Sequence, residues 1–371
     1  MKSFAELVEI IFKSGYAKVD FTKNVIHDLK LLPLGSVLVE NIRRDWLQSK
    51  DKINTYVVPS NGVVQRLGTQ TIAFDILKAD KFREDFLHVK NNFQKELPLA
   101  IKEEILFAET DDTLDESASI AKLSKGRLLC SNYFVSDSLA QEYFFKIQRE
   151  RKIWWMRFSP HPGRYFLTDL KSEVVKNQKT QSVKIASKFD FGTFELEKIH
   201  LVPLKAIELE HPLQFSLKDT RVDRRVVPTV IWSEFCLETA ALGLLFDSIE
   251  GSKDRKIALH RKIAPYQCGL LCFSKDEKSL LELADLATHL ATAMRKLGVS
   301  VLNVQKCCTD EDKVLQKEIG EMDKIGVPYS ILLEESSLKD GLMKLRNRDT
   351  TLSEIIHLTD VPGYFVNIVN S

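Results

Sequence analysis

From Gln267 onward the chain alternates short apolar runs with helical periodicities, and this alternation limits the possible folds more than any other feature. Gln267 to Phe273 predicts a buried strand. Ser279 to Leu297 predicts a helix that Gly298 ends, at a position where a left-handed residue is favoured. Val299 to Val304 reads as a strand, Asp310 to Ile325 as a helix and Pro328 to Leu333 as a strand. Strands separated by helices pair in parallel through right-handed crossovers. A last strand from Gly341 is expected to run antiparallel, which gives the order β-α-β-α-β-β-α and a mixed five-stranded sheet.

The stretch Asp340 to Asp360, DGLMKLRNRDTTLSEIIHLTD, carries the most chemistry in this region. Leu342, Met343, Lys344 and Leu345 suit a half-buried strand. Arg346 and Arg348 flank Asn347. Asp349, Thr350 and Thr351 predict a helix start, with Glu354 placed to close a capping box and Ile355, Ile356 and Leu358 on the apolar side. On spacing alone this is a strand and a capped helix at the end of an α/β domain.

The preceding chain reads differently. Arg164 to Leu217 alternates with period two, which predicts several antiparallel strands. Phe4 to Ser14 has helical spacing. Pro33-Leu34-Gly35 makes a bend, and Val37, Leu38, Ile42 and Trp46 then share one helical face. Tyr56 to Ser60 reads as a strand, Phe74 to Phe93 and Leu97 to Phe107 as amphipathic helices, and Asp111 to Ser117 as an exposed acidic loop. Phe144 to Phe158, FFKIQRERKIWWMRF, has a core stripe of Ile147, Ile153, Trp154 and Phe158. Lys146, Arg149, Arg151, Lys152 and Arg157 lie largely off that stripe, as a solvated face or as a surface for phosphates. Gly251 to Ile263 is a basic linker with Lys253, Arg255, Lys256, His260, Arg261 and Lys262. It is read first as a solvated charge run and second as a DNA-facing segment. The expected organisation is a first domain over 1–252, a linker over 253–265 and a last domain over 266–371.

Composition narrows the function. The 371 residues carry 53 Lys plus Arg against 52 Asp plus Glu, so any surface for nucleic acid must be local. Hydrophobic residues at 44% and charged residues at 28% fit a globular chain with sizeable cores. No apolar run approaches the ~20 residues of a membrane span. The cysteines Cys130, Cys236, Cys268, Cys272, Cys307 and Cys308 show no CxxC pair or His at zinc spacing, so buried free thiols are expected and no metal site. Glu6, Glu9 and Asp20 near the start argue against a transit peptide, so a folded helix is expected there, mature or preceded by a further presequence. No Gly-rich phosphate loop, triad or paired-carboxylate motif is visible, and no cofactor is expected.

The segments EIGEMDKIGVPYSILLEESSLKDG and LRNRDTTLSEIIH resemble the C-terminal anticodon-binding domain of class II aminoacyl-tRNA synthetases of the glycyl and prolyl types. With LHRKIAP upstream, the wording is closer still to the accessory-subunit family of the mitochondrial DNA polymerase gamma, which is built like a synthetase without being one. PLG-helix-NI-W and the R-x-x-WW-x-x-F helix are similar in both groups. The resemblance implies a class II synthetase-like antiparallel sheet domain followed by an anticodon-binding-like domain, an α/β (α+β) fold. Gly126 to Phe145 is similar to synthetase motif 2, with Phe134-Val135-Ser136-Asp137 in place of FRxE, a second strand at AQEYFF and almost no loop between. Arg224 to Glu250 matches motif 3, a strand then a helix. There Cys236 stands for the glycine that lets the nucleotide approach, and Glu238 and Thr239 follow, with no arginine for its phosphates.

The resemblance therefore implies a non-catalytic accessory, processivity subunit. It would bind the polymerase gamma catalytic subunit and primer-template or double-stranded DNA in the mitochondrial matrix nucleoid. The expected partner contacts are Gly341, Lys344, Arg346, Arg348, Asp349 and Thr350. The expected DNA contacts are Lys146, Arg149, Arg151, Lys152, Arg157, Arg255, Lys256, Arg261 and Lys262. Some members dimerise through a long helical hairpin for which the space here is too short, so a monomeric protomer in a 1:1 heterodimer is expected. The alternatives are a divergent glycyl-type synthetase and an RNA-binding paralogue.

Overall fold

A computed structural model describes residues 3–49, 53–58, 63–66, 80–109, 119–207, 209, 211–250, 256–307 and 312–370. Helix α1 (Phe4–Lys13) begins at a capping box in which the Ser3 hydroxyl accepts the Glu6 amide and the Glu6 carboxylate accepts the Ser3 amide. A hairpin, β1 (Ala17–Thr22) and β2 (Val25–Leu31), leads into α2 (Pro33–Gln48), whose first turn the proline suits. Leu38, Val39, Ile42 and Trp46 of α2 are buried; Val37, expected on that face, is exposed.

The large sheet combines β3 (Asn54–Val57), β4 (Val63–Arg66), β5 (Leu99–Glu109), β6 (Lys125–Val135), β7 (Tyr165–Leu167), β8 (Lys171–Val175), β9 (Gln178–Phe189), β10 (Gly192–Pro203) and β13 (Thr229–Cys236). Its path is β3-β5-β6-β13-β10-β9-β7, with β4 against β5 and β8 against β9. Apart from β3 and β4, which run parallel to β5, its pairings are antiparallel. One face is covered by α1, α2, α4 (Ala140–Met156) and α5 (Leu237–Glu250), which bury Phe4, Trp46, Trp155 and Phe246 against Leu129, Ile199 and Ile231. The other face is covered by α3 (Asp80–Asn92), through Phe82, Phe86 and Val89, and by the ribbon β11 (Leu217–Asp219) and β12 (Arg224–Val226).

The C-terminal sheet has the order β15-β14-β16-β17-β18. Its strands are β14 (Cys268–Phe273), β15 (Gln305–Cys307), β16 (Tyr329–Leu333), β17 (Leu342–Asn347) and β18 (Ser353–His357). Strands β15 and β16 run parallel to β14, whereas β17 and β18 are antiparallel, as the expected mixed sheet requires. Helices α6 (Glu277–Lys296) and α9 (Val361–Asn370) cover one face, and α7 (Asp312–Lys324) packs on the other; α8 (Glu335–Asp340) joins β16 to β17.

Four local expectations fail, each for a physical reason. Leu97 to Phe107 is not a helix but most of β5: Leu99, Ile101, Ile105 and Phe107 line one face, and the buried charges Lys102 and Glu103 hide that period. AQEYFF is not a returning strand but the first turns of α4, because its partners repeat with the helical period as Phe144, Ile147, Arg151 and Trp155. The antiparallel pair is instead β5 with β6, so the motif-2-like hairpin starts one strand earlier than expected. The strand expected over Val299 to Val304 shrinks to an isolated bridge at Val301, followed by β15. Most consequential, Asp349 to Thr351 starts no helix. Asn347 Oδ1 accepts the amides of Asp349 (2.8 Å) and Thr350 (3.2 Å), Thr351 takes φ 59°, and the chain returns as β18. An Asn side chain that mimics a backbone turn competes with a cap in this way. The helical part of Phe74 to Phe93 is Asp80–Asn92; residues 67–79 and the acidic loop at 111–117 lie outside the described residues.

Candidate partner-docking and nucleic-acid surfaces

The hairpin β17–β18 sorts its side chains by face. Met343 and Leu345 point into the core shared with α6 and α9. Arg346, one register position further, lies on the opposite face, where its two terminal nitrogens donate to Asp323 at 3.0 Å each. Arg348 is 4% exposed and donates to the carbonyls of Ile257, Gly326 and Leu259, each at 2.9 Å, and to Asp349. These two arginines therefore do not face a partner, contrary to expectation. Both sit at the turn end of the hairpin, where the end of α7 and the linker cover the sheet, and a guanidinium is the side chain that best satisfies several buried acceptors at once. Tyr16 donates to Ile325 O at 2.8 Å, and Asn41 donates to Ile263 O and Ala264 O, so the same corner joins the two halves of the chain.

Gly341 holds φ 70° at the end of α8, and a Cβ there would meet the His357 ring at 2.6 Å; its role is conformational. Of the six expected partner contacts, Lys344, Asp349 and Thr350 are exposed, with Lys344 3.1 Å from Glu334. The structure adds what the sequence reading missed. Once β18 is a strand, Ile355 projects from the sheet at 68% exposure on the same face as Leu342 at 40%, and Leu352 is 72% exposed at the turn end of the hairpin. The register pairs Lys344 with Ile355 across the two strands, so exposed apolar and basic side chains alternate along the outer pair of strands. Reading Ile355-Ile356 as strand rather than helix is the signal that finds it, because only one of two adjacent residues can then face inward.

Helix α4 is the second surface. Arg149 is exposed, Lys152 is half-buried, and Lys146 lies 5.0 Å from the Tyr143 ring centroid. Arg151, expected beside them, is buried: it donates to Glu197 at 2.7 and 3.0 Å, and Glu197 also accepts from Trp155 and Ser233. Ile153, expected in the core stripe, is 57% exposed. The helical period explains both, since 144, 147, 151 and 155 share a side that 153 leaves. Arg157 pairs with Asp45 of α2. In the linker, Lys256 stands 3.5 Å from Asp323, Arg261 and Lys262 are half-buried, and Arg255 lies outside the described residues. Burial, then the charges of Arg261 and Arg157, lower the pKa of His260 to about 4, so it is neutral at physiological pH.

The face of the large sheet that carries Cys236, the residue in the motif-3-like position, is filled by side chains. Cys236 stands in the glycine position and packs against the cluster on the α3 face. There Phe86 lies 4.8 Å from Phe134 and 4.9 Å from Phe215, and Phe82 stacks on both of those rings and tilts over Trp232. Each such ring contributes about 2–3 kcal/mol by burial. Arg127 neutralises Glu238 at 2.9 Å, and Thr239 is buried. Val135, expected in place of the FRxE arginine, faces the opposite core. On the same face Glu103 accepts from Asn132 at 2.7 Å, and burial raises its pKa to about 7. The described cysteines, Cys130, Cys236, Cys268, Cys272 and Cys307, are free thiols, and no cluster among the described residues could hold a metal ion.

A mostly antiparallel sheet is followed by a mixed α/β sheet, and in the latter residues 267–368 match the anticodon binding domain family. The chain is 21% identical over 410 residues to the glycine–tRNA ligase of Borreliella burgdorferi strain B31, covering 90% of this chain and 89% of that one. The particular relatives are more specific. It is 36% identical over 245 residues to the mitochondrial DNA polymerase subunit gamma-2 of Drosophila melanogaster, covering 65% of this chain and 66% of the relative. It is 23% identical over 317 residues to the DNA polymerase subunit gamma-2 of Bos taurus, covering 78% and 62%. The chain is thus similar to the DNA polymerase subunit gamma-2 proteins. It spans between about half and just under two thirds of the length of those it matches.

Proposed function

We propose that this protein is a non-catalytic accessory subunit of the mitochondrial DNA polymerase gamma. It binds the catalytic subunit and strengthens that enzyme's hold on primer-template DNA in the mitochondrial matrix. The observation that supports this most is the filled face beside Cys236, together with the similarity to the subunit gamma-2 proteins. A chain that cannot seat ATP there has surfaces left to act with, and added contacts slow dissociation without supplying a catalytic group. The docking surface is the edge of the C-terminal sheet. Leu342, Leu352 and Ile355 supply apolar area, and Lys344, Asp349 and Thr350 supply polar contacts at its margin. Lys146, Arg149 and Lys152 of α4 contact DNA phosphates without reading sequence. The division at 253–265 separates the two parts, and the protomer joins one catalytic chain. Co-purification with that chain, with the mass of the complex measured, tests the proposal: a 1:1 complex supports it, and independent elution of the two proteins refutes it.

A second reading has its own observation. Similarity to glycine–tRNA ligases extends over 90% of the chain and the anticodon binding domain is intact, which favours an RNA-binding or ligase role. Pyrophosphate exchange with glycine and ATP, and competition between tRNA and primer-template DNA, separate the readings.

A further inference from the structure

The formal net charge of +1 conceals a cluster of cations on the α3 face of the large sheet. Lys90 closes α3 and Lys95 follows it. Lys218 and Arg225 are opposite each other on the ribbon β11–β12, Arg224 is opposite Asp219, and Arg221 lies in the turn. Backbone bonds fix the ribbon to the chain after α3: the Lys218 amide donates to Lys95 O and the Leu97 amide donates to Lys218 O, both at 2.9 Å. Lys90 donates to Gln214 O at 2.6 Å, and its pKa is lowered by burial and then by the charge of Arg225. Like charges are therefore held together by the fold, and among the described residues only Lys218 of them is paired with an acid. Of the nearby acids, Asp223 pairs with Lys218 at 2.8 Å and Asp219 accepts the Arg221 amide. Lys95, Arg221, Arg224 and Arg225 are exposed and make no ion pair with a described residue.

We infer that Lys95, Arg221, Arg224 and Arg225 form a second polyanion-binding surface, and that its ligand is the phosphate backbone of duplex DNA. Two features select a duplex. The cations stand on a hydrogen-bonded ribbon, its turn and the segment bonded to it, which keep their spacing fixed against a regular row of phosphates. Binding of single strands needs free aromatic platforms for bases. The aromatic nearest these cations in the chain, Phe93, is one ring, 62% exposed and in contact with Tyr56 at 5.5 Å and His88 at 5.8 Å, where successive bases need a row of platforms. The cations of α4 lie on the opposite face of the sheet, so one straight duplex segment cannot touch both surfaces. The inference rests on the DNA part of the proposed function and is independent of the docking part.

The test uses the full chain, K95A/R221A/R224A/R225A, the milder R221A/R224A of two turn and ribbon residues, and K146A/R149A/K152A as the opposite-face comparison. Binding of a labelled duplex is measured from about 50 to 200 mM salt, and co-purification with the catalytic chain is followed in parallel. Each lost phosphate contact flattens the log–log salt slope by about 0.9, so the fourfold variant is expected to lose about 3–4 and the double variant about 2. Affinity at the lowest salt falls at least tenfold while co-purification is unchanged. An unaltered slope in both ribbon variants overturns the inference, as does a slope change confined to the α4 variant. Tighter binding of a hairpin RNA than of duplex DNA overturns the choice of ligand. A wild-type chain that joins the catalytic subunit but binds no DNA removes this surface and leaves docking intact. Slope loss in a chain that ignores the catalytic subunit keeps this surface and refutes the docking part.

Discussion

The two sheets of this protein finish their faces differently. The large sheet is closed on both sides, by four helices on one and by α3 with its phenylalanines on the other. Among the described residues the C-terminal sheet is closed over β14 and β16 but leaves the outward face of β18 uncovered, with Leu352 and Ile355 among the most exposed large apolar residues. A ligase needs the opposite arrangement, an open face on the first sheet to admit a nucleotide. The difference teaches where each sheet sends its apolar area: inward on both faces of the first, and partly outward on the last strand of the second. The charges divide too: Arg151, Arg346 and Arg348, all in motif-like stretches, are consumed inside, whereas Arg149, Arg224 and Arg225 are exposed.

The largest expected effect comes from breaking the corner that joins the two regions. Arg348→Ala leaves three buried carbonyls and Arg346→Ala leaves Asp323 short of its main partner, so each is expected to cost about 3–5 kcal/mol in urea unfolding. A loss below about 1 kcal/mol in both would mean that the arginines are surface groups after all. Arg151→Ala belongs with them, because it strands Glu197 in the core.

Next is the open edge. Leu352→Asp with Ile355→Asp is expected to weaken binding to the catalytic subunit by on the order of a hundredfold, at about 1–2 kcal/mol per residue, while the melting temperature stays within about a degree or two. Equal affinity of the double variant and the wild type would move the docking surface elsewhere.

The filled face gives a pH test. Glu103 has its folded pKa raised to about 7, so between about 4.5 and 7 the folded state binds more protons than the unfolded one. Its contribution to stability is therefore full at acid pH and lost as pH rises through 7. Glu103→Gln is expected to flatten that decline and to gain about 2 kcal/mol at pH 8. Chemical unfolding at pH 5 and pH 8 checks it, and an identical pH dependence in both proteins contradicts it. The smallest expected effect is on α4: Arg149→Ala with Lys152→Ala should leave stability unchanged within about 0.5 kcal/mol and reduce the salt slope of DNA binding by about 2.

Much of the fold was legible because it is written in periods. The parallel strands β14 and β16 are continuous apolar runs, and β9 and β10 alternate, so both sheets could be read from residue order. What failed failed where charge entered the core. Lys102 donates to Trp46 O and Ser49, and Glu103 lies on the other face, so β5 did not look like a strand. Arg151, Arg346 and Arg348 looked like surface because lone arginines usually are, and only the placement of Glu197, Asp323 and the linker carbonyls shows otherwise. The outer edge of the C-terminal sheet was misread for a different reason: Asn347 made the turn that Asp349 and Thr350 seemed to cap. The motif-3-like strand and helix stood where expected, since a buried strand running straight into a buried helix leaves little choice of register.

The most direct measurement of the central claim is extension of a singly primed template by the polymerase gamma catalytic subunit, with and without this protein, in the absence of ATP and glycine. Longer products per binding event with the wild-type chain, lost when Leu352 and Ile355 carry aspartate, are what the account predicts. Product lengths that the wild-type chain leaves unchanged would contradict it.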